Sequence, residues 1–94
     1  MKIPKKIKAF GFVYPVIQKK NLRDKEGKWL GLIAHKEGEI KLDKNQHHRR
    51  KEQVLLHELV HFVNAEERIK MKERDVEKLS TGLYQILKDN NIWK

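Results

Sequence analysis

The stretch His57-Glu58-Leu59-Val60-His61 sets two imidazoles four residues apart, with a carboxylate directly after the first. On a helix four residues advance the chain by about 400°, so both imidazoles project from one face, a single turn apart, and can share one tetrahedral ion. Glu58 lies one step round the helix, beside the pair rather than opposite it. Metal-assisted hydrolysis needs this set: neutral nitrogen ligands, and a carboxylate that takes a proton from a water the ion acidifies toward pKa ~7 and passes it to a leaving amine. His57 and His61 are the expected metal ligands, and Glu58 the expected general base.

A catalytic zinc site ordinarily has three protein ligands and one open position. The chain has no cysteine, so the third ligand must come from His, Asp or Glu. Glu67 would complete H-E-x-x-H-x-x-N-x-x-E, with Asn64 at a turn whose left-handed conformation asparagine can adopt. Glu77 lies in Asp75 to Tyr84 (DVEKLSTGLY), where a helix packed antiparallel to the first would aim it at the ion. Gly82 in that segment costs about 1 kcal/mol relative to alanine in mid-helix, which close approach of another backbone would justify. Glu73, one turn before Glu77, is the remaining alternative. Spacing alone leaves these open.

The elements that must position these groups fall into two halves that meet near residue 43. The first half reads as strands. Phe10 to Ile17 is apolar and β-prone, and its Gly11 and Pro15 suggest an edge strand, a bulge or two short pieces. Asn21 to Lys28 reads as a polar loop. Trp29 to Ala34 and Glu39 to Leu42 flank Lys36-Glu37-Gly38 as the arms of a hairpin, and Ile40 and Leu42 alternate with polar neighbours as in a strand with one buried face.

The second half is helical. From about Gln46 to Asn64, with Asp43 or Asn45 as cap, Leu55, Leu56, Leu59, Phe62 and Val63 form one stripe. After a break at Ala65 to Lys72, a helix from about Glu73 to Lys88 places Val76, Leu79, Leu83, Ile86 and Leu87 on its apolar face. The fold class expected is α+β in a single domain over residues 1–94, with a small, mainly antiparallel sheet before the two helices.

His57-Glu-Leu-Val-His61, followed by Val76-Glu77-Lys-Leu and Leu83-Tyr-Gln-Ile-Leu, resembles the minigluzincins, very small relatives of the gluzincin metallopeptidases, and similar short phage-borne zincins. The resemblance spans roughly residues 29 to 90. It implies zinc held by His57, His61 and Glu77, the last on a "glutamate helix", with Glu58 as base and a peptide or protein as substrate. It also implies that Glu39 to Leu42 is an edge strand to which an extended substrate adds, and that a terminal segment, at Met1 to Lys8 or at Ile92-Trp93-Lys94, holds the enzyme latent. For Trp93 the competing role is packing on the core. His35, His47, His48 and Tyr84 are the candidates for a donor to the developing oxyanion.

Composition bounds the alternatives. The 94 residues make one small core, and without cysteine there are neither disulfides nor thiolate metal sites. Lys2, Lys5, Lys6 and Lys8 precede the apolar stretch Ala9 to Ile17, but Pro15 interrupts it and no small-residue cleavage site follows, so a secretory signal is not expected. No run approaches the ~18 apolar residues of a membrane span; a soluble, cytoplasmic protein is the expectation. The net charge is +9. Its cations are scattered and the cluster His47-His48-Arg49-Arg50-Lys51 has no interleaved aromatics for base stacking, which favours a solvated surface over a nucleic-acid site. A zinc-stabilised binding module for nucleic acid is the alternative from another class. Oligomeric state is not legible.

Overall fold

The computed structural model describes residues 3–20, 31–34 and 39–93. Strands precede helices as expected: β1 Lys6–Ala9, β2 Phe12–Lys19, β3 Gly31–Ala34, β4 Glu39–Asp43, α1 His48–Glu66 and α2 Glu73–Asp89. The architecture is α+β, a small mixed sheet with two helices.

The apolar run around Gly11 resolves into a hairpin. Phe10 and Gly11 both have positive φ, 50° and 82°, as a two-residue type I′ turn requires, and Ala9 then faces Phe12 across the ladder. The basic stretch before Ala9 thus supplies a strand. β2 changes partner at Pro15: Phe12 to Pro15 pair with β1, and Val16 to Lys19 run parallel to β4. Proline has no N–H to give a ladder, and it sits at the step between two of them. The Val16 N–H resumes the bonding, donating to the Lys5 carbonyl at 2.8 Å.

The sheet is mixed: β1–β2 and β3–β4 are antiparallel, so two of its three pairings match the mainly antiparallel sheet expected, and β2–β4 is parallel. The strand order, β1-β2-β4-β3, corrects one expectation. Glu39 to Leu42 is not an edge, because β4 has β2 on one side and β3, antiparallel, on the other. Its two apolar side chains are covered at that central position: Ile40 and Leu42 are 2% and 0% exposed. β3 and β4 pair as hairpin arms with Ala34 opposite Glu39. The Lys36-Gly38 turn, His35, the Asn21 to Lys28 loop and Trp29 lie outside the described residues.

α1 begins at His48 rather than Gln46. Its cap is His47, whose Nδ1 accepts from the Arg49 N–H at 3.2 Å. Asp43 instead accepts the Asn45 N–H through Oδ1 at 2.9 Å, shaping the turn from β4. Leu55 and Phe62, two turns apart on α1, pack with Ile40, Leu42 and Val54 as the core. The Phe62 ring meets Phe10 and Tyr14 at centroid distances of 5.5 and 4.9 Å. Ile7 and Trp93 pack against the same cluster, so β1 and the C-terminal tryptophan both serve the core.

α2 runs antiparallel to α1: Glu52 meets Tyr84 and Lys88, His57 meets Ser80, and Asn64 meets Met71. The face it buries differs from the expected one. Val76 is buried, but Leu79, Leu83 and Ile86 are exposed while Ser80 and Tyr84 are buried in their place. Polar partners rotate the helix. The Glu52 carboxylate is 1% exposed; the Tyr84 hydroxyl donates to its Oε1 at 3.0 Å and the Lys88 ammonium to its Oε2 at 3.2 Å. A buried carboxylate without such partners would be strongly destabilising. Gly82 is correspondingly open: a Cβ there would meet nothing within 4 Å, so among the described residues it does not serve a close helix approach. Among the described residues no helix is long and apolar enough to cross a membrane.

Candidate metal site

His57, Glu58 and His61 sit on the middle turns of α1, and their placement depends on how the chain leaves that helix. Asn64 lies inside α1 rather than at a left-handed turn; the left-handed residues are Arg68 and Lys70, with φ of 52° and 66°. The Asn64 side chain spans the turn they form. Its Oδ1 accepts the Met71 N–H at 2.9 Å and its Nδ2 donates to the Met71 carbonyl at 3.2 Å. α2 then starts two residues later, and its first residue is Glu73.

Glu73 faces both imidazoles. Its Oε1 is 2.8 Å from His57 Nε2 and its Oε2 is 2.7 Å from His61 Nε2. The two Nε2 atoms are 3.1 Å apart. One ligand atom from each of the three residues lies within 4.8 Å of the others, so His57, His61 and Glu73 form a group that could hold a metal ion.

The spacing fits such an ion. Two nitrogens at 2.0–2.1 Å from a tetrahedral centre stand about 3.3 Å apart, close to the 3.1 Å of the imidazole pair. The carboxylate would need to draw back by about half an ångström, which the Glu73 side chain, 62% exposed, can do by rotation. Donor accounting agrees. A carboxylate only accepts, so each Nε2 must carry a proton toward Glu73 or share a cation with it. Two protonated Nε2 atoms would set N–H against N–H at 3.1 Å, whereas one cation satisfies all four atoms.

The structure therefore brings together His57, His61 and Glu73, with Glu58 half-buried next to His57 along α1. It does not bring in Glu77, which is exposed and shares a shallow surface depression with Arg74, Lys78 and Gln85. The short turn closed by Asn64 sets the start of α2 against His61, and one and two turns further on the inward positions belong to Val76 and Ser80, both buried. Glu67 is the exposed C-cap of α1, its N–H donating to the Val63 carbonyl. Tyr84 is committed to Glu52, and burial, then that hydrogen bond and charge, push its phenol above the ordinary value. His47 caps α1. His48 begins α1, about 14 Å of helix rise before His57. None of the three is at the imidazole pair.

Asn64, expected at the turn itself, braces the turn from inside α1, and one residue of the surroundings is not singled out by the sequence: Ser80, whose Oγ is 3.5 Å from His57 Nδ1. The signal for Ser80 was a small polar residue on the apolar side of α2, one turn from Val76. Compared with family models, curated proteins and solved structures, the chain gives no match.

Proposed function

We propose that this chain is a zinc-dependent peptide hydrolase. The observation that carries the reading is the convergence of His57, His61 and Glu73, with Glu58 following the first histidine in an H-E-x-x-H helix. His57, His61 and Glu73 would hold the ion. The nitrogen and oxygen donors suit zinc, which as a Lewis acid supplies an acidified water and a polarised carbonyl. Glu58 takes the proton of the attacking water and returns it to the leaving nitrogen, so its carboxylate must be ionised when substrate binds.

Substrate alignment moves from β4 to β3. Among the described residues β3 pairs with β4 alone, and α1 packs against β3 and β4, so the open side of β3 is the sheet edge beside the helix that carries the site. An extended peptide adding there gains backbone hydrogen bonds before any side chain is recognised.

The test pairs metal content with hydrolysis. Zinc should bind near one equivalent, and Glu58→Gln should keep that zinc while losing hydrolysis of a broad peptide library, since it removes a base and no ligand. Zinc binding with no hydrolysis by the parent protein would favour a zinc-stabilised binding module. Absence of zinc binding would overturn the reading.

A further inference from the structure

We infer that Ser80 is a positioning residue that fixes the tautomer of His57, holding its Nδ1 as the N–H and turning the Nε2 lone pair toward the ion; this rests on the metal site proposed above. Ser80 is 3% exposed, deep for a hydroxyl on a helix whose leucines at positions 79 and 83 face outward. Its Oγ donates to the Glu77 carbonyl at 3.1 Å, one turn back on α2. A serine hydroxyl has one proton. With that proton given to Glu77, Oγ has only lone pairs to offer His57 Nδ1, 3.5 Å away. The nitrogen facing it must then be the donor.

The consequence falls on the other nitrogen. A neutral imidazole with its proton on Nδ1 has its lone pair on Nε2, the atom that faces Glu73 and His61. Metal-bound histidines generally donate their second ring N–H to an acceptor, which sets ring orientation and raises ligand basicity; removing such an acceptor typically lowers metal affinity 10–100-fold. Ser80 supplies the acceptor from α2, the helix that also supplies Glu73. Docking of α2 thus brings a ligand and orients another in one step, and explains why a serine holds an inward position there.

The experiment compares parent, Ser80→Ala and Ser80→Thr proteins. Zinc affinity is read by competition with a chromophoric chelator, and the His57 ring protons by imidazole nitrogen–proton correlation spectra of the zinc-loaded proteins. The zinc-loaded parent should show a His57 Nδ1–H that exchanges slowly with water. Ser80→Ala should weaken zinc binding about 10–100-fold and speed that exchange, leaving helix content and the His61 ring signals unchanged; Ser80→Thr, which keeps the hydroxyl, should recover most of the affinity. Zinc binding within twofold of the parent and unchanged exchange in Ser80→Ala would overturn the role of Ser80 alone. Rapid exchange of the His57 Nδ1–H in the parent would do the same even if the alanine variant failed to fold. A parent protein that takes no zinc would overturn the underlying site, and this inference with it.

Discussion

Asn64 and Met71 share two hydrogen bonds, side-chain amide to backbone amide, across the turn between the helices. Those bonds fix the chain two residues before Glu73, in a turn that holds Arg68 and Lys70 in left-handed conformations that non-glycine residues adopt only at some cost. Asn64→Ala should therefore destabilise the fold by about 1–2 kcal/mol, two part-buried hydrogen bonds, and also weaken metal binding, though Asn64 is no ligand. Urea unfolding with a parallel zinc titration checks both. Lost stability with unchanged zinc affinity would show that the turn does not place Glu73.

The identity of the third ligand is open to direct measurement. Glu73→Ala should lower zinc affinity by orders of magnitude, while Glu77→Ala and Glu67→Ala should stay within a few-fold of the parent, because only Glu73 reaches the imidazoles. The two exposed carboxylates also act as controls for a general loss of negative charge near the site. A dominant effect at Glu77 would mean that α2 turns on binding metal, replacing Glu73 by the residue one turn along.

How far the sequence reached can be traced through particular residues. The imidazole pair and its helix were legible because the four-residue spacing and the apolar stripe through Leu55 and Phe62 agree. The strand-before-helix order was legible for a similar reason. The centre of the sheet was not: whether β4 has one neighbour or two depends on β2 switching partners at Pro15, a non-local pairing that leaves no periodic trace. The inward face of α2 was misjudged because hydrophobicity marks Leu79, Leu83 and Ile86, while the partners that hold the helix are polar, Glu52 for Tyr84 and Lys88, and His57 for Ser80. The choice of Glu73 over Glu77 follows from that rotation together with the Asn64 clasp.

Gly82 offers a test with the opposite sign. It is helical and exposed, and a Cβ there meets nothing within 4 Å, so nothing among the described residues requires glycine. Gly82→Ala should stabilise the protein by about 0.5–1 kcal/mol through reduced freedom of the unfolded chain. Thermal unfolding of the two proteins at one concentration is sufficient. A destabilised variant would show that another surface lies against α2 at Gly82 in solution.

Tyr84 should give the fold a distinctive weakness in alkali. Burial first, then the hydrogen bond and charge of Glu52, raise its phenol above the ordinary 10.0, against a smaller opposing pull from the Arg49 charge. The folded chain thus binds this proton more tightly than the unfolded chain does. Stability from the protonated phenol is complete below pH 10 and is lost as the pH climbs through the raised value, when a second negative charge forms against the buried Glu52 carboxylate. Tyr84→Phe removes the titrating group. It should be less stable than the parent at neutral pH by about 2 kcal/mol, the order of one hydrogen bond to a charged group, yet lose less stability between pH 9 and 11. Urea unfolding at stepped pH gives both slopes, and ultraviolet absorbance should show one of the chain's two tyrosines ionising later than the other. Parallel slopes for the two proteins would mean that Tyr84 ionises no less readily in the folded chain than in the unfolded one, and that its contact with Glu52 does not hold in solution.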